Sequence, residues 1–124
     1  MTHLLLVDDS DDLRRSLRLV LAELFPDTRV EEATSAGQAL ILVDHVPFDV
    51  VLLDLSLPDR SGLATLRELR RLHPNLPVVV MTFHPEAEFM AAARDAGAAA
   101  YVTKGSSAEV IAQAVRVALG ETRT

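Results

Sequence analysis

Cysteine is absent from the 124-residue sequence, so neither a disulfide framework nor a thiolate zinc site can be built. No apolar run approaches the roughly 18 residues that mark a membrane span, which argues against a membrane protein. The N-terminus has no basic segment and reaches Asp8 after a short apolar stretch, so a signal peptide is not expected and the cytoplasm is the default compartment. A basic excess is missing too. The net charge of −6 argues against this domain holding nucleic acid by itself and leaves that role to any separate module of a longer parent chain. No internal repeat, low-complexity tract or interdomain linker is visible.

The chain is long enough for one domain with one buried core. Hydrophobic residues make up 49% and charged residues 24%, a globular balance. Short apolar runs alternate with helical patterns. Strand-like runs occupy Leu4–Val7, Thr28–Ala33, Phe48–Leu53, Pro77–Met81 and Ala99–Val102. The second is interrupted by charge. Helical spacing covers 11–24, 35–44, 62–72, 86–95 and 107–119, as in Leu13, Leu17, Val20, Leu21 and Leu24 of the first. Ser10 or Asp11 and Ser35 are candidate helix caps, and Pro74, Gly97 and Gly120 are candidate stops. Most of the runs are continuously apolar, as expected for strands covered on both faces. Five strands and five helices in strict alternation predict a three-layer α/β/α sandwich around a parallel sheet. Its crevice would open at the C-terminal edge of the strands.

Polar groups of complementary kinds follow four of these runs. Asp8 and Asp9 follow the first, Asp54 the third, Thr82 the fourth and Lys104 the fifth. Taken singly, each has an ordinary reading as a cap, turn or surface residue. Taken jointly they define a site. Three carboxylates repel one another unless a cation compensates. With no cysteine and no histidine in the set, the hard oxygen donors point to Mg2+. A divalent cation, the Lys104 ammonium and the Thr82 hydroxyl together make a receptor for a phosphoryl group. Asp54 is the best-placed nucleophile, and carboxylates can form aspartyl phosphates.

The motifs Val7-Asp8-Asp9, Asp54-Leu55-Ser56-Leu57-Pro58-Asp59-Arg60-Ser61-Gly62, Met81-Thr82, Ala96-Gly97-Ala98 and Tyr101-Val102-Thr103-Lys104 resemble the receiver domain of bacterial two-component response regulators. The match covers residues 3–119, and the helical text from Ser106 to Glu121 resembles the NarL/FixJ type. The resemblance implies a (βα)5 flavodoxin-like, doubly wound five-stranded sheet. It implies that Asp54 accepts phosphate from a sensor histidine kinase. Asp9, Asp54 and the backbone carbonyl of Ser56 would ligate Mg2+ directly, with Asp8 acting through water. Thr82 and Lys104 would contact the phosphoryl oxygens, and Tyr101 would be the switch aromatic. A homodimer on phosphorylation is also implied, as is transcriptional control through a helix-turn-helix domain beyond this sequence. Residues 1–120 are read as the receiver and 121–124 as a tail or the start of a truncated linker.

Three features depart from the common pattern. Gly105 follows Lys104 where proline is usual, so a trans bond and a more mobile loop are expected. Phe83 follows Thr82 where small residues are usual, and its ring could narrow access to Asp54. Ser56 and His84 occupy variable flanking positions, with His84 read as a loop histidine; His3, His45 and His73 have no evident constellation. Other classes fit less well. A haloacid dehalogenase-type enzyme needs a second aspartate two residues after the nucleophile, where Ser56 stands. A flavin module needs a Ser/Thr/Gly-rich phosphate loop after the first strand, where the acidic run stands. A pseudo-receiver, acting as an interaction module without phosphorylation, is the alternative kept open by Phe83 and Gly105.

Overall fold

The computed structural model describes residues 2–83 and 87–120. Its elements are β1 (Thr2–Val7), α1 (Asp11–Leu24), β2 (Thr28–Ala33), α2 (Ala36–His45), β3 (Val50–Asp54), α3 (Gly62–Leu72), β4 (Val78–Thr82), α4 (Ala87–Asp95), β5 (Ala100–Thr103) and α5 (Ala108–Ala118). The strands form one parallel sheet in the order β2-β1-β3-β4-β5. The expected alternation and three layers are both present.

Side-chain alternation along the central strands feeds two cores. Leu5, Val7, Val51, Leu53, Val78 and Val80 pack with α2, α3 and α4. Leu4, Leu6, Val50, Leu52, Val79, Met81 and Val102 pack with α1 and α5. This two-sided burial explains why β1, β3 and β4 read as unbroken apolar runs. Strand β2 is an edge, and its charged residues Arg29, Glu31 and Glu32 are at least partly open to solvent.

Element ends shift by a residue or two from the sequence expectation. Parallel pairing carries β3 through Asp54, opposite Met81, and β4 through Thr82, opposite Thr103. Phe48 falls outside β3; its ring instead lies against His3, with centroids 4.6 Å apart. Ser10, rather than Asp11, caps α1, its hydroxyl accepting from the Leu13 amide. Ser35 caps α2 in the same way through Gln38 N–H.

Gly62 opens α3 against the chain leaving β3. A Cβ there would lie 2.3 Å from Leu55 Cα and 2.5 Å from Leu55 O. Alanine is the better helix former by about 1 kcal/mol, but a clash with backbone costs about 1–3 kcal/mol. Gly62→Ala is therefore expected to lower the urea midpoint. A midpoint at or above that of the parent would show that the β3–α3 loop shifts freely.

Candidate functional site

The chain leaves β1 towards β2 on one side and enters β3 on the other, so the strand order reverses at β1. A crevice opens at the C-terminal end of such a switch point. Asp8 directly follows β1 and Asp54 ends β3, which puts both carboxylates at that crevice. Both residues are fully buried, whereas Asp9 is exposed. One carboxylate oxygen from each of Asp8, Asp9 and Asp54 lies within 4.8 Å of the others.

Lys104 reaches this cluster from the end of β5. Its Nζ lies 3.0 Å from Asp8 Oδ2 and 3.0 Å from Asp54 Oδ1, and its side chain is only 5% exposed. Asp54 Oδ1 also accepts from Ser56 N–H at 2.9 Å, and Asp8 Oδ1 from Ser10 N–H at 2.8 Å. The two remaining oxygens are less well served. Asp8 Oδ2 is at ion-pair distance from Nζ without hydrogen-bond alignment, and Asp54 Oδ2 has no hydrogen-bond partner among the described residues. Buried polar atoms left this way are costly. Burial pushes the Asp54 carboxyl above its ordinary range, and the nearby Asp8 charge adds to that. Ser56 N–H and Lys104 oppose it without cancelling it.

Thr82 is fully buried at the end of β4, and its carbonyl accepts from Lys104 N–H at 2.6 Å. Tyr101 is half-buried on β5 and packs on the α2–α4 side of the sheet. It pairs with Val80, two residues before Thr82, so Thr82 and Tyr101 lie on the same face of adjacent strands. The Phe83 ring is 67% exposed and stacks on the ammonium of Lys104, 5.0 Å from centroid to Nζ. The Lys104–Gly105 bond is trans, and Gly105 has φ +89°, a left-handed value that glycine accepts without a Cβ penalty.

The structure thus brings together Asp8, Asp9, Asp54, Ser56 and Lys104, with Thr82 at the neighbouring strand end. Three histidines lie in local contacts instead: His3 with Glu31, His73 with Asp44, and His45 with the Ile41 carbonyl. His84 lies outside the described residues, as do 121–124. Sequence reasoning missed Arg14. Its Nη1 donates to the Asp8 carbonyl at 2.7 Å and its Nε to Glu32 at 2.8 Å, with a further bond to Asp11, tying the acidic loop to α1 and β2. The i, i+3 spacing of Asp11 and Arg14 was the only local signal for that network.

A doubly wound parallel sheet with buried carboxylates and a lysine at its switch point defines a flavodoxin-like acidic-site domain. Residues 4–116 match the model of the response regulator receiver domain, and the chain belongs to that family, a component of two-component signalling systems. It is 37% identical over 116 residues to the response regulator GacA of Pseudomonas aeruginosa, covering 94% of this chain and 54% of GacA. It is 37% identical over 115 residues to the nitrate/nitrite response regulator protein NarP of Escherichia coli, covering 92% and 53%. The chain therefore spans about half the length of the curated relatives it matches. A LuxR-family two-component response regulator from Aurantimonas superposes with TM-score 0.89 at 34% identity, covering 99% of this chain and 89% of that one. Among the described residues, no helix is long and apolar enough to cross a membrane.

Proposed function

We propose that the domain accepts a phosphoryl group on Asp54 from a sensor histidine kinase, with Mg2+ as the cofactor, and that this switches a protein-interaction surface. The observation that carries the reading is the orphaned, fully buried Asp54 Oδ2 beside Asp8 and Asp9. A buried carboxylate oxygen with no donor suits a metal or an electrophile. The all-oxygen donor set suits Mg2+, which takes carboxylates and keeps several waters. Asp9 and Asp54 would hold the ion with the Ser56 carbonyl, and Asp8 through water. When bound, the ion neutralises charge on the transferring phosphoryl oxygens.

The chain's own groups do the rest. Asp54 supplies the nucleophilic oxygen. Lys104, already fixed by two carboxylates, is placed to meet the peripheral oxygens of the phosphoryl group. The Thr82 hydroxyl can donate to the same group, and any movement of Thr82 is felt by Tyr101 on the shared sheet face. The changed surface would then favour a homodimer. Through a DNA-binding domain beyond residues 121–124, it would control transcription. Residues 1–120 form the receiver in this account, and the relatives' greater length supports a further domain.

The test is to incubate the domain with acetyl phosphate and Mg2+, reduce it with borohydride and map the product. Reduction of an acyl phosphate leaves homoserine, which should appear at position 54. Homoserine at another aspartate would overturn the assignment.

Phe83 is expected to set the pace. Its ring stacks on the Lys104 ammonium, which is itself 3.0 Å from Asp54 Oδ1. An exposed cation–π contact is worth about 0.5–1 kcal/mol, so Phe83→Ala should speed phosphorylation by about two- to fivefold. Stopped-flow or time-resolved mass spectrometry reads this directly. Unchanged kinetics would remove the gating role.

A further inference from the structure

We infer that Asp59 is a positioning residue for the metal-binding half of the site: it clamps the β3–α3 loop, and with it the Ser56 carbonyl, onto the N-terminus of α2. The inference rests on the receiver reading given above.

The contact is two-pronged. Asp59 Oδ1 accepts from Ala36 N–H and Oδ2 from Gly37 N–H, both at 3.0 Å. These are first-turn amides that α2 itself leaves without partners. Ser35 satisfies only the next one, Gln38 N–H. Helix α2 has no acidic residue in its own first turn. Its N-terminal charge partner therefore comes from 22 residues further along the chain. The two N–H groups hold the Asp59 carboxyl below its ordinary range, although it is exposed.

The other end of the clamp is the site. Ser56 lies between Asp54 and Asp59 on the short loop 55–61. Its N–H is bonded inward to Asp54 Oδ1, and Leu57 beside it is buried in the α2–α4 core. Asp59 follows two residues later. The next anchor, Arg60 to Glu68 at 2.8 Å, is a surface ion pair with both side chains at least 31% exposed. Such pairs hold little. Gly62 N–H closes the far end of the loop onto the Leu55 carbonyl at 3.2 Å, and Ser61 is bonded into the first turn of α3. Without Asp59, Arg60 to Glu68 is the one side-chain tie that residues 58–60 keep among the described contacts. The segment that carries the Ser56 carbonyl is then held less firmly against α2. A metal site depends on such outer contacts, because they orient the groups that touch the ion.

The competing view is that Asp59 merely stabilises α2. Ser35→Ala separates the two, since it removes a cap from the same helix without touching the loop. Mg2+ affinity by titration calorimetry and thermal midpoint should be measured for the parent chain, Asp59→Ala, Asp59→Asn and Ser35→Ala. Both alanine variants should melt earlier. Only Asp59→Ala should bind Mg2+ about tenfold more weakly. Asp59→Asn keeps one acceptor oxygen and should fall between the parent and Asp59→Ala, and it serves if Asp59→Ala does not fold. Parent-like Mg2+ affinity in the Asp59 variants would overturn the inference alone. Equal weakening in Ser35→Ala would overturn it too, by tracing the effect to helix stability. A parent chain that binds no Mg2+ would overturn the receiver reading and this inference with it.

Discussion

Replacing Lys104 by methionine is expected to destabilise the domain by about 3–5 kcal/mol at neutral pH in metal-free buffer. The ammonium bridges two fully buried carboxylates at 3.0 Å each and is itself nearly buried. Its removal leaves Asp8 and Asp54 facing one another with no fixed cation. Two escapes follow, and both are measurable. Mg2+ should restore much of the loss, because it supplies the missing charge. Acid should shrink it, because a protonated carboxyl needs no cation. The sign follows from linkage: groups whose folded pKa is raised contribute stability that is full below their unfolded pKa and is lost as pH rises through the folded value. The deficit should therefore be small below the ordinary carboxylate range of about 4 and full at neutral pH. Urea denaturation at several pH values checks this. A variant as stable as its parent at pH 7 without metal would contradict the buried ion-pair geometry.

Asp54→Asn is expected to abolish phosphoryl labelling while raising stability in metal-free buffer at neutral pH. Burial pushes the Asp54 carboxyl upward, and the charge of Asp8 pushes it further. Ionising it therefore costs the folded state more than the unfolded one. Asparagine keeps the shape and an oxygen for Ser56 N–H and Lys104, but removes that charge. Lys104 still has Asp8 as a partner. The stability gain should fade as pH drops through the carboxylate range, where the parent is protonated as well. A fall in midpoint at neutral pH would mean that Lys104 and Ser56 outweigh burial at this carboxylate. An active site that gains stability when its reactive group is neutralised is a common trade between function and stability.

Most of the fold could be read from the chain because parallel strands covered on both faces are uninterrupted apolar runs. Val50–Leu53 and Val78–Met81 need no alternation to be recognised. Strand β2 was harder to read, since an edge position lets Arg29, Glu31 and Glu32 interrupt it. Asp8, Asp9, Asp54, Thr82 and Lys104 stood out because a strand end followed by a polar residue is a local pattern. The contacts that escaped notice link distant segments through side chains with no local mark. Asp59 on Ala36 and Gly37, Arg14 on Asp8 and Glu32, and Phe83 over Lys104 are of this kind. In each, an ordinary charged or exposed residue acquires its role only when the sheet order brings its partner close. Strand order itself is a property of packing and crossover handedness, and no run of residues spells it out.

Uptake of a phosphoryl group by Asp54 with help from Mg2+ is open to a direct test. The most direct measurement is the intact mass of the domain after incubation with acetyl phosphate, with Mg2+ or with a chelator, and with Asp54→Asn alongside. One phosphoryl adduct is expected in the parent with Mg2+, and none with the chelator or in the variant. An adduct that persists in Asp54→Asn, or that forms equally well with the metal removed, would contradict it.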